Sequence, residues 1–206
     1  MSEPLLFKSM VLGLSIAAPV GPIGILCIRR CVVEGRMAGL LCGLGAATAD
    51  ASYGALGGFA SNGISVWLVR GHLWMALAGC AFLLYLGAKI FRSPAPDPAG
   101  SADSRATGAY LSTFVLTLAN PLTILSFAAA FAGMGAGVVG YDGVVTMLAG
   151  VFVGSAIWWL MLTTVAAALR GRLSPSMLVT INRVSGLLLV GFGLYTLAGV
   201  FTPSGH

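Results

Sequence analysis

Six long apolar stretches, separated by short polar connections, leave this chain few folds to choose from. They run over Leu5–Ile28, Ala38–Ala60, Leu73–Phe91, Tyr110–Gly133, Val144–Leu169 and Val184–Phe201. A helix rises about 1.5 Å per residue and the hydrocarbon core of a bilayer is about 30 Å thick, so each stretch can cross it. Inside lipid every backbone N–H and C=O must be bonded within the protein, and open strands leave them unpaired at several kcal/mol each. Composition points the same way. Only 8% of the 206 residues are charged and 58% are apolar, whereas a soluble domain draws its surface from about 25% charged residues. The expected fold is all-α: a polytopic membrane protein with six transmembrane helices arranged as two inverted three-helix repeats.

The basic residues set the expected orientation. Arg29, Arg30 and Arg36 follow the first stretch, Lys89, Arg92 and Arg105 the third, and Arg170, Arg172 and Arg183 flank the connection after the fifth. Nine of the eleven basic residues thus gather on one side, leaving Lys8 and Arg70 on the other. Cytoplasmic connections carry such an excess, so both termini are expected outside. The net charge of +5 is explained by this topology. Its basic residues sit in short clusters between apolar runs, which argues against nucleic-acid binding. The amino terminus carries Glu3 where a secretory signal would carry a basic cluster, and Pro19 directly follows Ala17-Ala18. It is read as a retained first span.

Ser93–Arg105 (SPAPDPAGSADSR) is the one clear linker, too rich in proline, glycine and small polar residues to bury much surface. It divides the chain into a first three-helix repeat (1–92), a cytoplasmic linker (93–109) and a second repeat (110–206). Three spans per half force the halves into opposite orientations, the arrangement of inverted-repeat transporters. Spans one and four both break at proline, spans two and five both carry GxxxG (Gly39/Gly43, Gly150/Gly154), and spans three and six share late glycines.

The breaks are the first candidate site. Ala18-Pro19-Val20-Gly21-Pro22 removes two amide donors and adds a flexible glycine, so span one cannot stay one regular helix. Proline favours the first helical position, which predicts new half-helices at Pro22 and at Pro121, the latter with Asn120 as its N-cap. Each start exposes free N–H groups and the positive end of a helix dipole, and two of them near mid-membrane suit a carboxylate. Asp50 is the second candidate. It is the only acid deep inside any span, costs at least ~2.5–3.5 kcal/mol to bury in a bilayer, and should face the bundle interior. Its neighbours at helical spacing (Gly43, Ala46, Ala47, Tyr53, Gly54, Gly57) form a small-residue face, which packs inward. Asp50 is expected to bind an ammonium group, to carry a proton, or to do both in turn. The candidate substrate- and ion-binding set is Pro19, Gly21, Pro22, Asp50, Tyr53, Asn120 and Pro121. Thr117, Thr123 and Ser126 are candidates to line a path, although membrane hydroxyls often satisfy their own backbone. Trp158 and Trp159 read as packing residues.

Missing groups exclude other chemistries. All four cysteines (Cys27, Cys31, Cys42, Cys80) lie in the first half, so a thiol relay with one cysteine per half is not available. Asp50 alone cannot build a divalent-cation site. His72 falls in an expected outward loop and His206 ends the chain, so no histidine can serve an intramembrane hydrolase as base. No cofactor or metal is expected.

With the motifs in place, SIAAPVGPIGILCIRRCVVEGRMAGLLCGLGAATADASYG resembles the amino-terminal signature of the LysE-type (LysE/RhtB) amino-acid exporters. That signature is a proline-glycine-proline break, a basic loop, a glycine-rich second span, and an aspartate followed by tyrosine. LTLANPLTILSFAAAFAGMG resembles the family's Asn-Pro motif in span four, and INRVSGLLLVGFGLYTL its last span. The first break here reads Pro-Val-Gly-Pro, and Leu122 follows Asn-Pro where many members have lysine. The resemblance implies secondary active export of amino acids or related small amines across the cytoplasmic membrane of a prokaryote, driven by a proton or other coupling ion. It carries over Pro19, Gly21, Pro22, Asp50, Asn120 and Pro121 as site residues. The single buried acid leans towards neutral amino acids. Export of another small solute on the same scaffold, and a non-transporting assembly partner that uses its GxxxG faces, are the alternatives; a homo-oligomer stays open.

Overall fold

The computed structural model describes residues 3–19, 21–59, 63–93, 102–134, 140–170 and 174–201. These residues form eight helices: α1 (Glu3–Ala17), α2 (Pro22–Val33), α3 (Arg36–Phe59), α4 (Gly63–Phe91), α5 (Ala102–Leu118), α6 (Pro121–Met134), α7 (Tyr141–Arg170) and α8 (Pro175–Phe201). Among the described residues there is no strand. Both expected breaks are present. The chain turns by 80° between α1 and α2, and by 58° between α5 and α6. Each bent pair is long and apolar enough to cross a bilayer as one span, as α7 and α8 are individually, and Leu77–Phe91 of α4 is a shorter apolar helix.

The breaks form where the chain loses backbone donors. Pro22 occupies the first position of α2, with Gly21 as its extended N-cap at φ −108° and ψ −160°. At the second break the Leu122 amide donates to Asn120 Oδ1 at 3.2 Å, the N-cap bond expected of Asn120. At its far end α2 stops at Gly35, whose φ of 116° is a left-handed value that glycine adopts without strain.

Several helices begin earlier than the apolar runs suggested. Arg70 and His72, expected in a loop, lie within α4; Arg183 lies within α8, and Arg29 and Arg30 within α2. α5 starts at Ala102, so Arg105 is helical. A helix can continue through polar residues beyond its apolar run, a length that hydropathy alone does not register. Arg172, His206 and most of the expected linker lie outside the described residues.

Packing runs across the two halves of the chain. α1 packs on α7, α5 on α3, α3 on α7, and α4 on α8. Glycine permits the tightest of these contacts. A Cβ at Gly150 would meet Ser9 Cβ at 2.5 Å, so α1 rests directly on the backbone of α7. Gly186 of α8 and Gly87 of α4 likewise face each other's carbonyls. Such close approach is how helices associate in lipid, where apolar surface gains nothing by turning inward. The main core joins Leu26, Cys42, Ala46, Leu86, Leu116, Trp159 and Leu189 from six helices. The outer face is as apolar as the core: Leu148, Ile157, Leu160 and Val165 of α7 are all exposed.

Candidate functional site

Asp50 lies 14 residues into α3, about 21 Å from the start of that helix and about 14 Å from its end at 1.5 Å per residue. It is 3% exposed, turned into the bundle as the small-residue face requires. Its Oδ2 accepts a hydrogen bond from Ser155 Oγ at 2.7 Å. Trp159, one turn along α7, donates from Nε1 to the same hydroxyl at 3.1 Å. The serine has a single hydrogen to give and gives it to the carboxylate, while its lone pair takes the indole N–H. Asp50 therefore has one oxygen fixed by the protein and the other available to the cavity.

That cavity has a volume of about 300 Å³, at the lower end of the roughly 300–1,000 Å³ range for small-molecule pockets. Both breaks open into it. Pro19, Gly21 and Pro22 form one wall, Asn120 and Thr123 another, and Asp50 and Trp159 a third. The first intrahelical bond of α2 is from the Ile25 amide to the Gly21 carbonyl, and that of α6 from the Ile124 amide to the Asn120 carbonyl. The amides of Ile23, Gly24 and Thr123 consequently have no acceptor within their helices. Thr117 completes the wall. It is 2% exposed, and its hydroxyl is buried without a partner. The arrangement offers an anion a set of donors and offers a cation one carboxylate, a complement to a small zwitterion.

Of the residues expected at the site, Pro19, Gly21, Pro22, Asp50 and Asn120 meet at this cavity. Pro121 starts α6 behind Asn120. Tyr53 is elsewhere. It stacks on Phe127 with ring centroids 5.3 Å apart and donates to the Leu118 carbonyl at 2.5 Å. That carbonyl, in the last turn of α5, has lost its helical partner to the break, so Tyr53 holds the break rather than lining the cavity. Ser155 escaped the sequence reading, and Trp159 was read as packing only. The available signal was weak: Ser155 is the lone serine of α7, four residues before Trp159, and pairing it with Asp50 requires knowing that α3 packs on α7.

The geometry agrees with the comparison to known proteins. The model of the LysE type translocator family matches residues 14–199, a span that holds both breaks, Asp50 and Ser155. The chain belongs to the LysE type translocator family. It is a membrane transporter and not an enzyme. It is similar to the "Putative amino acid efflux protein YcgF" of Bacillus subtilis (strain 168), with 29% identity over 197 residues, covering 90% of this chain and 91% of the relative. No solved structure matches it.

Proposed function

We propose that this LysE-type translocator is a secondary active exporter of amino acids across the cytoplasmic membrane of a prokaryote. One observation carries the reading: a buried carboxylate, the lone one among the described residues of the cavity wall, and two helix starts whose first amides have no acceptor within their helices share a single cavity. The substrate carboxylate binds at the starts of α2 and α6, and its ammonium meets Asp50. Release outward then requires that Asp50 be neutralised or given another partner, which is where a proton or other coupling ion enters. The name of the Bacillus subtilis relative supports amino acids as the substrate class.

The six-span, inverted-repeat architecture belongs to the same proposal. α3, with 24 residues, and α4, with 29, are long enough to span at 1.5 Å per residue, which brings the count to six with the two bent pairs, α7 and α8. Exchanging residues 1–92 with 110–206 turns the α1–α7 contact into the α5–α3 contact and returns α3–α7 and α4–α8 to themselves. This is the packing that a two-fold axis in the membrane plane produces. The excess of basic residues in the connections supports a topology with both termini outside. The test is an amino-acid profile of culture medium from cells with and without overexpression. Enrichment of one or a few amino acids is expected, whereas a different solute, or none, refutes the assignment.

A further inference from the structure

The cavity does not account for Arg30. Its neighbour Arg29 has a counter-charge: Nη1 pairs with Glu34 at 2.5 Å and Nε donates to Asn182 Oδ1 at 2.8 Å. Arg30 is 8% exposed and has one bond, from Nη2 to Ser112 Oγ at 2.7 Å. Its Nε and Nη1 are buried with no partner. A guanidinium carries five N–H donors and no acceptor, and stays charged in proteins. Among the described residues no carboxylate pairs with it: Glu34 is committed to Arg29 and Asp50 to Ser155. A desolvated cation with spare donors and no anion is an incomplete site, because such a charge persists only with a counter-charge.

Its place in the fold says which anion it awaits. Arg30 lies eight residues after Pro22, about 12 Å along α2 from the cavity wall. A line of hydroxyls on α5 joins the two. Thr117 is in the cavity; Thr113, one turn earlier, is fully buried against Cys42 Sγ at 2.9 Å; and Ser112 holds Arg30 itself. This end of the bundle also carries the basic connections.

We propose that Arg30 is a second carboxylate-binding residue of the transport path, which holds the substrate near the cytoplasmic end before it passes along Thr113 and Thr117 to the cavity at Asp50. The proposal rests on the amino-acid reading above. The Ser112 hydroxyl occupies one corner of the guanidinium, and substrate takes the unfilled donors.

The test uses inside-out membrane vesicles containing the full chain, supplied with a mixture of the twenty amino acids and followed by mass spectrometry. Arg30→Gln raises KM at the cytoplasmic face about tenfold or more, the loss expected for one charge-assisted hydrogen bond, with Vmax unchanged. Arg30→Lys restores most of the affinity. Ser112→Asp separates this role from a structural one, because it supplies the missing anion internally. It raises the thermal unfolding midpoint and yet raises KM as Arg30→Gln does. Should Arg30→Gln fail to accumulate, Ser112→Asp decides alone. An unchanged KM in Arg30→Gln or Ser112→Asp overturns the proposal. So does an Arg30→Gln variant that keeps its KM but loses a thermal shift given by anionic lipid, which would assign the guanidinium to a headgroup. If the wild-type chain moves no amino acid at all, the functional reading falls first.

Discussion

Asp50→Asn isolates charge from shape at the centre of the site. Asparagine has the same outline, and its Oδ1 can still accept from Ser155, whose lone pair continues to hold the Trp159 indole. The variant should therefore insert and pack as before. What it loses is the negative charge. An ammonium 4 Å from a carboxylate gains about 4 kcal/mol at an effective dielectric of 20. At about 1.4 kcal/mol per factor of ten, that is roughly a thousandfold in affinity. If Asp50 carries the coupling proton, the loss is as complete, because an amide does not titrate. The assay reconstitutes wild-type and Asp50→Asn protein in liposomes loaded with amino acids and measures their release. Thermal unfolding in detergent serves as the folding control. Release should fall to background while the unfolding midpoint stays near that of wild type. Wild-type release rates from the variant would refute the assignment of Asp50 to substrate or proton, and with it the zwitterion cavity.

Three further substitutions test the surroundings. Thr117→Val removes a hydroxyl that has no protein partner, so stability should hold or rise while KM increases by roughly two- to tenfold, the worth of one neutral hydrogen bond; unchanged KM would show that the hydroxyl does not face substrate. Tyr53→Phe frees the Leu118 carbonyl at the second break and should cost about 0.6–1.7 kcal/mol of stability, the range for hydrogen bonds between membrane helices. Chemical-denaturant unfolding reads it, and a larger effect on KM than on stability would return Tyr53 to the binding site. Gly154→Ala places a Cβ 3.0 Å from the Leu14 amide nitrogen and closer still to the Met10 carbonyl; backbone cannot rotate away as a side chain can, so the α1–α7 contact should lose about 1–3 kcal/mol, seen as a lower thermal midpoint.

Local chemistry was legible because it is written in consecutive residues. A proline in the interior of an apolar run interrupts the helix, because it lacks the amide donor, and suits the first position of the next one, so Pro22 and Pro121 announced two half-helices, and Asn120 its own cap. An acid in a small-residue face of an apolar run has to turn inward, so Asp50 was found from its neighbours along α3. Helix ends were read less well. Arg29, Arg30, Arg70 and Arg183 look like loop residues by hydropathy, yet their backbone remains helical.

What sequence alone determined is the solvent and the punctuation: helices in lipid, their breaks, and a single acid among them. Which side chains share a cavity was decided by the packing of α3 on α7 and by the seating of α1 on α7 and α5 on α3. Those contacts bring Ser155 and Trp159, more than a hundred residues away in the chain, to Asp50; they leave Tyr53 at the second break and Arg30 buried with donors to spare. The physical reason is that such contacts depend on glycine-sized gaps matching between helices distant in sequence, and no local pattern encodes the match.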